Sequence, residues 1–158
     1  MTVFTTAGSS IAVTATAPAT FDAAGYAALF DASPAPATIG EVADLGEFGR
    51  EYVEVTWNPI DTRATKKAKG SYNEGTIALN IGLDNDNAGQ ALLYTASTDD
   101  ADYYFAITLQ NGDRYFFSAK VMSFRVVAGS VDSITQANVN LSLTSNNEGV
   151  GVVRELAA

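Results

Sequence analysis

Alternation of apolar and polar residues recurs in several separate stretches of this sequence. In Tyr52–Trp57, for example, Val53, Val55 and Trp57 share one parity, and the residues between them take the other. The same pattern covers four further stretches: 76–83, 103–110, 114–127 and 136–144. Because successive side chains of a strand point to opposite faces of a sheet, each stretch predicts a strand with one buried face. The sequence therefore predicts a mainly β fold, a β-sandwich or barrel.

Two of these stretches are predicted in more detail. The segment 103–128 predicts a hairpin with a type I′ turn at Asn111-Gly112, because both central positions of that turn need a positive φ. In the last long strand, Val139, Leu141 and Leu143 are expected to be buried. The opposite face carries five uncharged polar residues: Gln136, Asn138, Asn140, Ser142 and Thr144. Such a face is either an ordinary wet sheet surface or the lining of a channel, with Asn138 and Asn140 as candidates for the lumen-facing positions.

One flanking α-helix is predicted over 88–96, after a break at Asp84-Asn-Asp-Asn87 that offers N-caps. One or two helical turns before Phe30 are also favoured, capped by Thr20 or Asp22. The segment from Asp84 resembles the start of a calcium-binding loop. Its fifth and twelfth positions are Ala88 and Thr95, where such a loop needs Asp or Asn and Glu. A strand exit followed by a helix cap is therefore the preferred interpretation.

The chain has 158 residues, the size of a single domain. We expect one domain over 1–158, with an N-terminal arm or edge strand over 1–20, a long inter-strand loop over 58–73 and a C-terminal tail over 146–158. The 58–73 stretch holds four of the nine basic residues of the chain: Arg63, Lys66, Lys67 and Lys69. Compact domains rarely keep so long a loop without a use for it.

Three roles for this basic cluster are open: nucleic-acid binding, an exposed connection without a role, and docking onto an acidic surface of another copy. Three lysines on a chain of net charge −9 give a weak electrostatic footprint for nucleic acid. Docking would explain why an acidic chain concentrates its positive charge, with Glu47, Glu51 and Glu54 as a candidate acidic landing site. Patches of opposite sign on one molecule favour head-to-tail rings or filaments.

Composition excludes several functional classes. Histidine and cysteine are both absent, which excludes Ser-His-Asp and Cys-His catalysis, zinc sites and thiol chemistry. The carboxylates within 47–54 and 99–102 lie in Gly-rich or turn-like contexts, so solvated charges are preferred over a glycosidase pair. We expect no enzyme activity, no metal and no cofactor. No apolar run approaches the ~20 residues of a membrane span. The first basic residue is Arg50, so we expect no signal peptide and synthesis in the cytoplasm.

The order of several short motifs along the chain resembles a known protein family. In chain order they are Pro18-Ala-Thr-Phe-Asp-Ala-Ala-Gly-Tyr-Ala-Ala-Leu29, Ile39-Gly-Glu-Val42, Leu45-Gly-Glu-Phe-Gly49, Lys69-Gly70, Gly89-Gln-Ala-Leu-Leu93 and Asn111-Gly-Asp113. Together with the strands between them they cover nearly the whole chain. They resemble the major tail tube proteins of long-tailed, non-contractile bacteriophages, the siphophage tail tube family. The tube proteins of contractile tails and of type VI secretion share the fold of that family.

The resemblance implies a structural virion protein whose copies form hexameric rings, stacked into a tube through the long loop and the terminal arms. It implies a location in the virion tail, after synthesis in the bacterial host cytoplasm. The implied partners are other copies of the chain, the tape-measure protein, and the tail-tip and tail-terminator proteins, with no membrane. Genomic DNA passes through such a tube without specific binding, and an acidic, polar lumen fits this role because it does not attract phosphate.

A second class of function stays open on the sequence. A monomeric β-sandwich binding module, an adhesin or carbohydrate binder, would use exposed aromatic residues, with Tyr103, Tyr104 and Trp57 as candidates. The two classes differ in one simple property, because a tube subunit associates with itself and the binding module does not.

Overall fold

A computed structural model describes residues 3–157 of the chain. In this range the chain forms ten strands and two short helices. The strands are β1 (Ser10–Thr14), β2 (Ala37–Ile39), β3 (Val42–Asp44), β4 (Glu51–Trp57), β5 (Lys66–Asn73), β6 (Thr76–Gly82), β7 (Tyr103–Thr108), β8 (Arg114–Val127), β9 (Gln136–Thr144) and β10 (Val153–Glu155). The helices are α1 (Ala23–Phe30) and α2 (Ala88–Ser97). Neither has the length and hydropathy to span a membrane, within the part of the chain described.

Eight strands form one antiparallel sheet in the order β2-β1-β7-β8-β9-β6-β3, with β10 paired to β8. The long strand β8 pairs with β7 through its first half and with β9 through its second half. β10 therefore continues the line of β9 along β8, after an excursion over 145–152. β4 and β5 form a separate two-stranded sheet. The prediction of a mainly β fold is confirmed.

The main core lies against one face of the large sheet. Val139 and Leu141 are fully buried and Leu143 is 6% exposed, which confirms the predicted parity of the last long strand. Phe105 and Phe117 are direct partners across β7 and β8, and their rings stack 5.3 Å apart on this face. The alternation of the sequence thus defines the buried side of each central strand.

The two helices cover opposite faces of the large sheet. α2 packs on the core face through Leu93 and Ala96, both fully buried. α1 packs on the other face, where the Tyr26 ring stacks on Phe116 at 5.4 Å. The N-cap of α1 is Asp22, one of the two predicted caps, which accepts a hydrogen bond from Gly25 N. The fold therefore has two flanking helices where the sequence predicted one.

Three segments outside the predicted strands contain strands. The arm or edge strand predicted over 1–20 contains β1, which lies between β2 and β7 and not at the edge of the sheet, and the tail 146–158 contains β10. The predicted loop 58–73 contains β5, so the connection between β4 and β5 covers only 58–65. Both faces of β5 are exposed, so its sequence shows no alternation although its backbone pairs with β4. Residues 1, 2 and 158 of these predictions lie outside the described range.

The hairpin of β7 and β8 is present, but its turn differs from the predicted type I′ turn. Residues 109–113 join the strands, with Leu109 O accepting from Gly112 N at 3.0 Å and Leu109 N donating to Asp113 O at 2.8 Å. Of the two central residues predicted, only Gly112 has a positive φ, of 94°. A type I turn followed by a left-handed glycine produces this pattern.

Helix α2 begins so close to β2 that Gly89 leaves no room for a side chain. A Cβ there would lie 2.5 Å from Thr38 O and 2.8 Å from Ile39 Cα. We expect Gly89→Ala to lower the free energy of unfolding by about 1–3 kcal/mol despite the better helix propensity of alanine, because α2 must move away from β2. Chemical denaturation measures this, with Ala91→Ser on the exposed side of α2 as a control within about 0.5 kcal/mol. Equal stability of Gly89→Ala and the parent would contradict the close packing.

Candidate functional site

Strands β4 and β5 form a hairpin that is separate from the large sheet and exposed along nearly its whole length. All seven residues of β4 and seven of the eight residues of β5 are exposed. Trp57, the only tryptophan of the chain, is 70% exposed, and Val53 is 59% exposed. A two-stranded hairpin alone is only marginally stable in water. A hairpin with large apolar side chains in solvent is therefore a candidate surface for contact with another chain.

The two faces of the hairpin differ in chemistry, since residues opposite each other in the register share a face. The first, here named the apolar face, carries Val53, Val55 and Trp57 with the cross-strand partners Ala68 and Lys66. The second, here named the charged face, carries the pairs Tyr52–Tyr72, Glu54–Lys69 and Thr56–Lys67. Only the apolar face lacks partners for most of its side chains.

Most side chains of the charged face contact another side chain of the same hairpin. Lys67 Nζ lies 3.8 Å from Glu54 Oε1, and Lys69 Nζ lies 4.8 Å from the centre of the Tyr52 ring. The rings of Tyr52 and Tyr72 meet edge to face at 5.5 Å. An exposed ion pair contributes only about 0–1 kcal/mol, so the Lys67–Glu54 pair adds little to the stability of the hairpin.

The predicted basic cluster is divided by the structure. Arg63 lies in the connection 58–65, and three residues lie on β5: Lys66, Lys67 and Lys69. The lysines are therefore held on a strand and not on a long loop, which makes the predicted loop wrong over 66–73. Docking of these residues onto a second copy stays a prediction.

The candidate landing carboxylates lie at the same hairpin. Glu51 and Glu54 are on β4, and Glu47 is in the segment between β3 and β4. Glu54 already faces the lysines of its own hairpin. Residues 50–73 carry five basic and three acidic residues, a net charge of +2, and the rest of the chain carries four basic and fifteen acidic residues, a net charge of −11. The larger acidic surface is thus the body of the protein.

A buried ion pair closes the base of the hairpin. Arg50, just before β4, donates to Oε1 of Glu74, just after β5, from Nη2 at 2.7 Å and from Nε at 3.0 Å. Glu74 is only 4% exposed, so the guanidinium of Arg50 compensates the cost of burying this carboxylate. The guanidinium also lies 3.8 Å from the centre of the Tyr72 ring. Hydrogen bonds to the Tyr52 hydroxyl and the Glu74 carboxylate raise the pKa of Arg50. Arg50, Glu74 and Tyr72 are here named the clasp.

Two neighbouring backbone segments pack against the clasp. Tyr72 OH donates to Gly149 O at 3.0 Å, which ties the segment 145–152 to the hairpin. A Cβ on Gly151 would overlap the Glu74 carboxylate, so this position requires glycine. Gly75 follows Glu74 with a φ of 91°, and a Cβ on it would lie 3.2 Å from Gly49 O. The sequence carries no signal for the clasp, because its two charged residues are 24 positions apart.

The polar face of β9 is exposed as its parity predicts. Asn138 and Asn140 both point to solvent. Asn80 Nδ2 donates to Asn138 Oδ1 at 2.8 Å and to Gln136 Oε1 at 3.1 Å, and Arg125 lies opposite Asn138 on β8. Amide side chains joined in this way form a polar surface with little net charge. The role of Asn138 and Asn140 in lining a channel stays a prediction.

The aromatic residues proposed for a binding module do not form a common exposed surface. Tyr103 is 4% exposed and its hydroxyl donates to Asp99 Oδ2 at 3.1 Å. Tyr104 is half-buried with its ring 6.2 Å from that of Phe21. Only Trp57 is well exposed, on the hairpin. The prediction that Tyr103 is exposed is therefore wrong, and its position within the core sheet explains why.

The motif from Asp84 serves the start of α2. Asn87 is the N-cap and accepts a hydrogen bond from Gln90 N at 3.0 Å, which confirms the helix-cap interpretation. Gln90 is buried and donates to Gly40 O and Gly82 O, so it joins the helix to the sheet. Within residues 3–157, no three His, Cys, Asp or Glu side chains are grouped in a way that could hold a metal ion.

No protein-family model and no curated protein matches this chain. Among solved structures, it is similar to a chain of an extracellular contractile injection system, described as the PVC sheath/tube terminator in the extended state, with a TM-score of 0.66, 11% identity and 99% of each chain covered. A crystal structure of Hcp protein is a weaker match, with a TM-score of 0.43, 13% identity, and 85% of this chain and 88% of that one covered. The first similarity shows a shared fold.

Proposed function

We propose that this chain is a structural, self-assembling subunit of the tube of a tail-like particle. The observation that carries the proposal is the hairpin of β4 and β5, whose apolar face is uncovered in a single chain. The fold shared over 99% of both chains with a chain of the PVC sheath/tube terminator structure supports it. An assembly of identical copies covers the apolar face of each hairpin with a neighbour.

The size of the uncovered surface favours a closed assembly over a simple pair. Covering Val53, Val55 and Trp57, which are 50–70% exposed, contributes about 4 kcal/mol in total. Association costs roughly 4–15 kcal/mol in lost translational and rotational freedom. Counted on the donating copy alone, this apolar contribution therefore does not exceed the cost of association. A ring in which each copy both donates a hairpin and receives one doubles the contacts per copy, and stacking adds more.

In its finer form, the proposal is a single-domain subunit of hexameric rings that stack into the tail tube of a non-contractile bacteriophage. The tube is built on a tape-measure protein between tail-tip and tail-terminator proteins. Genomic DNA passes through it during infection. The net charge of −11 outside the hairpin and the amide side chains of Asn138 and Asn140 are compatible with a lumen that does not retain DNA.

Electron microscopy of the purified chain in negative stain tests the proposal. A tube subunit gives six-fold rings that stack into hollow tubes. A terminator subunit, which the similarity to the PVC sheath/tube terminator also supports, gives rings that do not elongate. Sedimentation at high protein concentration measures the same distinction. A chain that stays monomeric both alone and with a tail-tip initiator would contradict both forms of the proposal.

Fluorescence of Trp57 reports on the hairpin without any label, because the chain has no other tryptophan. We expect the emission maximum to move to shorter wavelength as the protein assembles, since an indole that is 70% exposed becomes covered by a neighbouring copy. A concentration series with light scattering on the same samples measures both events together. Assembled protein with the emission of a solvent-exposed indole would contradict the role of the apolar face.

A further inference from the structure

The end of the hairpin carries an aromatic side chain among basic neighbours. Trp57 is the last residue of β4, and Lys66 lies opposite it in the register. Arg63 lies in the connection 58–65, where Asp61 is the only carboxylate. The end of the hairpin thus combines an exposed apolar side chain with basic side chains beside it.

A groove between α2 and β8 has the complementary character. Met122, at the bulge in β8, is 64% exposed, and Tyr94 on α2 is 61% exposed. The Tyr94 ring packs edge-on against Phe124 at 5.6 Å, which joins the two elements. Ser97 and Val121 line the groove with Met122. A flexible thioether in such a groove packs well against an aromatic ring.

Acidic side chains form one side of this groove. Asp99 and Asp100 line it, with Lys120 opposite. Lys120 Nζ is engaged within the chain, 2.7 Å from Asp102 Oδ1 and 2.8 Å from Asp100 O. Its hydrogen bond to Asp102 raises the pKa of Lys120. Two carboxylates, those of Asp99 and Asp100, line the groove, and its one ammonium is already paired with Asp102. The groove therefore has net negative charge, and Asp100 is exposed to a partner.

We propose that the Trp57 end of one copy's hairpin docks into the α2–β8 groove of a second copy. This inference rests on the proposed function and names the surface that receives the hairpin. Trp57 packs against Met122, and the basic neighbours of Trp57 face Asp99 and Asp100 of the groove.

Two features identify a second copy as the occupant. Trp57 and Met122 are both mostly exposed in a single chain, so the hairpin does not fill the groove of its own chain. The two surfaces also match in charge, since residues 50–73 carry +2 and the remaining chain −11. A donor surface and a receptor surface at different places on one molecule give head-to-tail association, which closes into rings.

Cysteine cross-linking tests the pairing directly, because the chain contains no cysteine. Ala64→Cys at the end of the hairpin and Ser97→Cys in the groove are combined in one chain, and the assembled protein is treated with a short bis-maleimide. We expect a ladder of covalent multimers that needs both substitutions. The matched control combines Ala64→Cys with Ser142→Cys on the polar face of β9 and is expected to give no ladder.

The outcomes separate this inference from the proposed function. Assembly with cross-links from the Ser97 position supports both. Assembly with a ladder from the control pair, or with none from Ser97, overturns the groove as the receptor and leaves the proposed function standing. A chain that never assembles overturns both.

A charge exchange gives a second, independent test of the same contact. Asp100→Lys is expected to raise the protein concentration needed for assembly about tenfold, because it places like charges together. Lys66→Glu in the same chain is expected to restore most of that loss. If the double variant assembles no better than Asp100→Lys alone, the two residues do not meet and the inference is wrong.

Discussion

A chain in which residues 51–73 are replaced by an Asn-Gly turn is expected to fold as the parent does and to lose assembly completely. The hairpin is a separate two-stranded sheet, and Glu51 and Asn73 are opposite each other at its base, so a short turn joins the two ends without moving the large sheet. Arg50 and Glu74 of the clasp remain, whereas Tyr72 and its hydrogen bond to Gly149 O are lost. The free energy of unfolding is expected to stay within about 2 kcal/mol of the parent value, because the shorter closed loop offsets the lost Tyr72 contacts.

Denaturation and sedimentation measure the two parts of this prediction on the same protein. Point substitutions then identify the face that matters. Val53→Ser with Val55→Ser on the apolar face is expected to abolish assembly, whereas Lys67→Ser with Lys69→Ser on the charged face is expected to weaken it less, because both lysines already have contacts within the hairpin. Tubes formed by the hairpin deletion would show that other surfaces hold the copies together.

The second large effect is expected at the clasp. Arg50→Met leaves the Glu74 carboxylate buried without its partner, and we expect the free energy of unfolding to fall by clearly more than it does for a substitution at an exposed site. The aliphatic part of the side chain is kept, so the loss reports on the charge and the hydrogen bonds at 2.7 and 3.0 Å. Arg154→Met at an exposed position is the control and is expected to change stability by less than about 0.5 kcal/mol.

A double substitution separates loss of the partner from loss of packing. Arg50→Met with Glu74→Gln removes the unpaired charge, so it is expected to recover most of the stability lost in Arg50→Met. Urea denaturation of the four proteins completes the cycle. If the double variant is no more stable than Arg50→Met, the carboxylate is solvated in solution and the burial of Glu74 has no energetic consequence.

The central strands were predictable because one face of each is buried. At Val139, Leu141 and Leu143 the alternation encodes burial directly, and the same logic applies to the strands around Phe105 and Phe117. Side-chain pattern and tertiary burial carry the same information there. The N-caps at Asp22 and Asn87 were predictable for a related reason, since they act on backbone only three residues away.

The hairpin was predictable only in part. Alternation identified β4, but Lys66 and its neighbours lack apolar residues, so β5 was predicted as a loop although its backbone pairs fully with β4. The clasp depends on Arg50 and Glu74 meeting across a sheet, which no local pattern encodes. The α2–β8 groove likewise arises where Ser97 and Met122 are brought together by packing of separate elements.

The glycines beside the clasp have a mechanical consequence for an assembled tube. Two chain segments connect the hairpin to the rest of the protein. Gly49 lies in the first and Gly75 in the second, and the two glycines are adjacent in space. In the proposed tube, bending between neighbouring subunits is expected at these connections, because the packed core is stiffer than a glycine-flanked joint. Such a tube would bend as rigid subunits that are joined through their hairpins.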